Sequence, residues 1–212
     1  MQIQQRQYQQ AIATFQNLLD IAKRLGDLNK EAIALNGLGF AHDYLDQRQQ
    51  ALSYYNQALA VTRTTDDRNG KVAILINIGS SYYRSKDFQE ALDFYNQALR
   101  IVQESNSRAD QVSILVTMGN IYTETRQHEE ALNYYDMALN VAQGVENIAL
   151  KISVFQRIIF IYLSTGKSQQ ALGSINQALA SCREIDNKQC EADVLAGIGS
   201  IYKDLGQLSK SL

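Results

Sequence analysis

His42, His128, Cys182 and Cys190, together with serines such as Ser80 and Ser81, are the side chains here that could support a metal centre, a nucleophile or a redox couple. A zinc-type site needs several ligands at characteristic spacing, and two unrelated histidines without carboxylates at such spacing do not supply them. The serines have no attendant histidine, and neither G-x-S-x-G nor a glycine-rich phosphate loop occurs. No catalytic residue, metal ligand or cofactor site is therefore expected, and the chain reads as a non-enzyme. His42 stands at a register that holds tyrosine in later copies, which predicts packing, while His128 in "TRQHEEA" predicts a solvated surface residue. Asp66-Asp67 and Glu129-Glu130 read as helix-start charges favoured by the macrodipole. Cys182 shares its register with Ala22, Thr62, Val102 and Ala142, which predicts a small packed side chain; Cys190 matches no apolar position. Both are read as reduced thiols, with a redox pair across one turn as the alternative.

The elements that position these residues recur. "YYNQALA" at 54–60 returns as "FYNQALR" at 94–100, "YYDMALN" at 134–140 and, in part, "SINQALA" at 174–180. Ala11, Ala51, Ala91, Ala131 and Ala171 lie 40 residues apart without an insertion. Each is followed by Ile or Leu, by Phe15, Tyr55, Tyr95, Tyr135 or Ile175 four residues on, and by Leu19, Leu59, Leu99, Leu139 or Leu179 eight residues on. Such spacing marks one face of a helix.

A second amphipathic segment precedes each of these. It carries Leu35, Leu38, Gly39 and His42, then Leu75, Ile78, Gly79 and Tyr82, then Leu115, Met118, Gly119 and Tyr122, and last Leu195, Ile198, Gly199 and Tyr202. The unit is helix, turn, helix. A helical glycine costs about 1 kcal/mol relative to Ala, so its return at one register predicts close approach of the paired helix, with Ala51 and its equivalents facing that contact. Asp27, Asp67, Ser107, Asn147 and Asn187 stand where helix N-caps are needed. Turns within the units are expected near 46, 86, 126, 166 and 206, with Gly166 and Gly206 suited to a left-handed helix end. No proline interrupts the long second helices.

Composition excludes other classes. With 45% hydrophobic residues, the chain can bury a core. Its net charge of −2, with Lys and Arg dispersed, leaves no footprint for nucleic acid. No apolar run approaches the roughly 18 residues of a membrane span, and "MQIQQRQYQQ" lacks a signal-peptide core, so a cytoplasmic protein is expected.

The frame resembles the tetratricopeptide repeat, whose signature W-x2-L-G-x2-Y, A-x3-F, P reads here as Leu35, Leu38, Gly39, His42, then Ala51, Tyr55, then Ala58. The Trp is replaced by Leu or Phe, the closing Pro by Arg63, Gln103, Gln143 and Arg183, and the period is 40. This is similar to the long-repeat branch found in kinesin light chains, spindle-orientation adaptors and bacterial signalling proteins. The resemblance implies an all-α, right-handed superhelical solenoid over 1–212, with repeats at about 27–66, 67–106, 107–146 and 147–186 and partial repeats at 1–26 and 187–212. It also implies a concave groove lined by the first helices. The groove positions are Asn36, Phe40, Asp43 and Tyr44; Ile76, Ser80, Tyr83 and Arg84; Val116, Asn120, Thr123 and Glu124; Gln156, Phe160, Leu163 and Ser164; and Ala196, Ser200, Lys203 and Asp204. Asn36, Ile76, Val116 and Gln156 at one register are not the Lys, Asn and Arg set that clamps a chaperone's terminal carboxylate. Phe40, Tyr44, Tyr83, Phe160 and Leu163 suit apolar anchors of a peptide, and Asn36, Asn120 and Gln156 suit its backbone.

The fourth complete repeat departs most, with Ile159 where glycine stood and Ile175 where an aromatic stood. Its helices are expected either to sit further apart and bend the array, or to be compensated by a small residue such as Gly173. Both ends cut through repeats, which suggests a segment of a longer protein or ends that pair with other copies. Two functions follow: an interaction module, scaffold or sensor, that captures a protein or peptide in the groove, or a structural segment that self-assembles through open ends or convex faces.

Overall fold

The computed structural model describes the backbone of residues 2–143 and 148–208, and side chains within 5–143, 148–199, 202 and 203. All regular structure among these residues is helical. The chain divides into two compact units, Met1–Ser105 and Asn106–Leu212. The first contains α1 (Gln2–Leu25), α2 (Leu28–Tyr44), α3 (Arg48–Thr65), α4 (Arg68–Arg84) and α5 (Phe88–Glu104). The second contains α6 (Arg108–Glu124), α7 (His128–Ala142), α8 (Ile148–Ser164), α9 (Ser168–Glu184) and α10 (Lys188–Leu208). Helices thus begin at 28, 48, 68, 88, 108, 128, 148, 168 and 188, two to each repeat.

The corners are built from caps and left-handed residues. Asp27 Oδ1 accepts from the Lys30 amide at 3.0 Å, Asp67 Oδ1 from the Gly70 amide at 2.9 Å, and Asn187 Oδ1 from the Cys190 amide at 2.9 Å. Ser107 departs from the expected cap: its hydroxyl donates to Asp110 at 2.5 Å and makes no side-chain cap bond. Asn147 lies outside the described residues. Glu129 and Glu130 occupy the first turn of α7. Gly166 has φ 74°, as its register requires, but Asp46, Lys86 and Arg126 take φ 59°, 64° and 60° at the equivalent turns. Gly26, Asp66, Asn106 and Asp186 do the same between repeats. The turn expected near 206 does not form, because α10 runs on to Leu208. No second helix folds back among the described residues, and continuing the helical ladder keeps each backbone donor paired.

Packing explains the recurring glycine. A Cβ on Gly39 would stand 2.6 Å from the Tyr55 ring, on Gly79 3.1 Å from Tyr95, and on Gly119 2.5 Å from Tyr135. The paired contact is therefore a whole phenol ring lying on bare backbone. Ala51, Ala91 and Ala131 are fully buried, as expected of small residues between the helices. In the fourth repeat Ile159 fills the glycine position and Ile175 replaces the ring; both belong to one apolar cluster with Phe155, Ala178 and Val194. The α8–α9 pair packs less closely than α2–α3, α4–α5 and α6–α7, as expected of helices set further apart where the ring and glycine are missing. Gly173 has no atom within 4 Å of where its Cβ would be, so it absorbs nothing.

A second aromatic seam joins the helices of the first three complete repeats: His42 on Tyr54 at 5.3 Å, Tyr82 on Phe94 at 5.5 Å and Tyr122 on Tyr134 at 5.2 Å between centroids. His42 is packed, as its register predicts. His128 is half-buried rather than solvated, and its Nδ1 has no protein partner. Its register holds Phe88 in the preceding repeat, so it lies at a packing position.

The two cysteines are not reduced thiols. Cys182 in the last turn of α9 and Cys190 in the first turn of α10 form a disulfide, with Cα atoms 5.5 Å apart. The left-handed turn at Asp186 folds these two registers together, within the normal Cα range for a disulfide.

Substituting the ring-bearing glycines should grade with the space available. Gly119→Ala forces Tyr135 to move and is expected to cost about 1–2 kcal/mol after the helix-propensity gain of Ala. Gly79→Ala, where the ring stands further off, is expected to be nearly neutral. Urea denaturation of both variants checks the order, and equal losses would show that the ring contact does not set the glycine.

Candidate functional site

The face carrying the groove registers is best developed in the first unit, where α2 and α4 lie side by side. Asn77 Nδ2 donates to Asn36 Oδ1 at 2.9 Å, so the two amides form a linked pair on that face. One turn further along, Phe40 is 40% exposed and Tyr44 45%. Tyr44 stacks on Tyr8 of α1 at 4.9 Å, tilts against Phe40 at 4.6 Å and receives the Arg84 guanidinium 4.6 Å from its centroid. Exposed aromatics that pack on one another in this way keep a fixed shape in water.

Asp43 is buried rather than groove-exposed. Its Oδ1 accepts from Ser81 Oγ at 2.8 Å and its Oδ2 pairs with Arg84. The carboxylate thus ties α2 to α4 and holds the guanidinium over Tyr44. No net charge remains on this part of the face, so charge contributes little to choosing a ligand here. Ile76 and Tyr83 are half-buried, and Tyr83 tilts against Phe88 at 5.9 Å.

The register of Phe40 has a second job. Ser80 Oγ lies 3.0 Å from Tyr95 OH, and Asn120 Oδ1 accepts from Tyr135 OH at 2.8 Å. Burial raises the pKa of both phenols, which stay protonated at neutral pH, and Tyr135 donates to Asn120. At the first repeat Phe40 offers no polar atom, and the buried Tyr55 hydroxyl has no protein partner. Burial, and then the Asp43 charge, raise its pKa strongly.

In the second unit Asn120 also accepts from Arg157 Nη1 at 2.7 Å, and Thr123 lies 3.1 Å from Tyr135 OH. Asn120 and Thr123 are therefore engaged with the core tyrosine. Val116 is 9% exposed, a core residue and not a groove contact. Gln156 is half-buried, with its amide against Gly197 of α10, where a Cβ would stand 2.2 Å from Nε2. Phe160 and Leu163 are half-buried, and Leu163 packs on the apolar cluster of α8, α9 and α10. Glu124, Ser164, Ala196 and Lys203 are exposed. The side chains of Ser200 and Asp204 lie outside the described residues.

Sequence reasoning missed Tyr8, Asn77, Ser81 and Arg157. Ser81 had a signal, a hydroxyl at a register that is Ala41, Ile121 and Ile161 elsewhere. Asn77 and Arg157 share a register with Gly37 and Thr117, too varied to point to a role.

The tyrosine network makes a test. Tyr135→Phe removes the hydroxyl that meets Asn120 and Thr123 and is expected to cost about 0.5–1.5 kcal/mol, whereas Tyr55→Phe removes an unpaired hydroxyl and is expected to be neutral or slightly stabilising. Chemical denaturation separates the two; a Tyr55→Phe loss as large as that of Tyr135→Phe would contradict it.

The tetratricopeptide repeat model matches residues 1–64 and 71–144, more than half of the chain. No curated protein matches the sequence. Among solved structures, BtubC (BKLC) from P. vanneervenii superposes with a TM-score of 0.74 at 22% identity, over 96% of this chain and 86% of its own. The apo form of RapI gives 0.74 at 16% identity, over 97% of this chain and 60% of its own. NprR in complex with its cognate peptide NprX gives 0.59 at 19% identity, over 94% of this chain and 57% of its own. The chain thus spans well under two thirds of the last two. With the helix pairs, the glycine and tyrosine interlock and this family match in agreement, the chain belongs to the tetratricopeptide repeat family.

Proposed function

We propose that this chain is a protein-interaction module, a scaffold or sensor segment, that binds a peptide or an exposed segment of a partner protein along the first-helix face. The observation that carries this is the rigid, solvent-exposed aromatic patch of Phe40 and Tyr44 beside the Asn36–Asn77 amide pair. Fixed aromatic surface supplies affinity at small entropic cost, and adjacent amides complement a peptide group. The peptide-bound NprR, which shares this fold, supports the reading. On the second unit, Gln156, Phe160 and Leu163 occupy the same registers as Asn36, Phe40 and Asp43. Binding is the whole of the activity proposed, with no catalytic step.

No helix among the described residues is long and apolar enough to cross a membrane. A cytoplasmic setting in bacterial signalling, by kinship of fold, is part of the same proposal.

Selection from a random peptide display library against the chain, followed by titration of the selected peptides, tests it. A Phe40→Ala, Tyr44→Ala variant that stays folded by circular dichroism should bind at least tenfold more weakly, while Arg100→Ala on a second helix should not change affinity. Equal affinity for both variants would move recognition off this face. Failure to select any peptide, with a mass by light scattering that rises with concentration, would favour self-assembly.

A further inference from the structure

We propose that the Cys182–Cys190 disulfide is a reversible redox staple that fixes α10 on α8 and α9, and that its reduction releases α10. The link joins the last turn of α9 to the first turn of α10. The equivalent corners hold Ala22 with Lys30, Thr62 with Gly70 and Val102 with Asp110, so none of them has a covalent tie.

This tie stands where the non-covalent hold is thin. Among the described residues, the buried apolar side chains of α10 are Cys190, Val194 and Ile198, one stripe that faces Ile152, Phe155 and Ile159. On its other faces Leu195 is 58% exposed and Tyr202 56%. The helix pair beneath has neither device that locks the earlier repeats: Ile159 and Ile175 replace the glycine and ring, and Ser174 stands where Tyr54, Phe94 and Tyr134 stack. Arg183 and Lys188 pair with Glu191 at 3.0 Å each, but both cations are largely exposed, and such pairs contribute little. Cys190 heads the apolar stripe, so the link secures that stripe at the corner where α9 passes into α10.

The chemistry needs an external dithiol. Its thiolate attacks one sulfur, the Cys182–Cys190 bond breaks, and a mixed disulfide forms. The second thiol resolves this to the reductant's own disulfide. Two electrons and two protons pass to the protein, which is left with two thiols. Cys182 is fully buried and Cys190 is 7% exposed, so attack requires the first turn of α10 to fray. Release of α10 would also remove Gly197 from the Gln156 amide, freeing a side chain on the first-helix face of α8.

Hydrogen exchange followed by mass spectrometry on the whole chain, with and without dithiothreitol, tests the staple. Closing a loop of this size is worth on the order of a tenfold to hundredfold change in opening. Amides of residues 190–199 should exchange faster by that factor after reduction, α6 and α7 should not change, and protection should return on reoxidation. A Cys182→Ala, Cys190→Ala variant should match the reduced protein in either buffer; Ala at 182 is the residue that positions 22 and 142 already hold. Unchanged exchange on reduction would overturn the proposal. So would two free thiols that fail to pair across a series of glutathione redox buffers.

Discussion

A phenol ring resting on a glycine governs how the first three repeats are assembled. The space left by the missing Cβ of Gly39, Gly79 and Gly119 is the space that Tyr55, Tyr95 and Tyr135 occupy, with an added Cβ only 2.6, 3.1 and 2.5 Å from the rings. Helix propensity opposes a glycine in these positions by about 1 kcal/mol, and burial of a large aromatic side chain, worth roughly 1.5–3 kcal/mol, outweighs it. The ring fixes the separation of the two helices of a repeat. It also aims a hydroxyl at the register that carries Ser80 and Asn120.

The core and the candidate site are therefore one system. Ser80 and Asn120 sit on the first-helix face, yet their polar atoms meet Tyr95 and Tyr135 from below. Phe40 forgoes that bond, leaves Tyr55 without a protein partner, and gives an exposed aromatic surface instead. The first complete repeat thus trades a core hydrogen bond for a platform. Asp43 makes a related exchange: by burying its carboxylate between Ser81 and Arg84 it joins adjacent first helices and sets the guanidinium against Tyr44.

Helix pairs, their starts and the interlocking registers were legible in the sequence because the 40-residue period repeats them several times. Asp27, Asp67 and Asn187 as caps followed from side-chain chemistry alone. Left-handed Lys86 and Arg126 were not legible, since neither residue type signals that conformation and the repeat geometry imposes it. The site was less readable than the fold for a similar reason. Periodicity identifies which face a residue occupies, but Val116 and Asp43 are covered by neighbours on adjacent helices, and Asn77 gains its role only through Asn36. The disulfide stood only as the alternative to reduced thiols, because its cysteines fit no ligand pattern and it is the corner at Asp186 that brings them together.

The fourth repeat offers the most direct test of ring-and-glycine complementarity, because Ile159 and Ile175 replace both partners at once. Denaturation free energies of Ile159→Gly, Ile175→Tyr and the double variant form a closed cycle. Complementarity predicts that Ile159→Gly alone costs about 2–4 kcal/mol by opening a cavity and that Ile175→Tyr alone costs about 1–3 kcal/mol by overpacking. The double variant should return to within about 1 kcal/mol of the parent, a coupling well beyond the additivity of independent sites. Losses that simply add in the double variant would contradict the claim that the ring and the glycine set the spacing of a repeat.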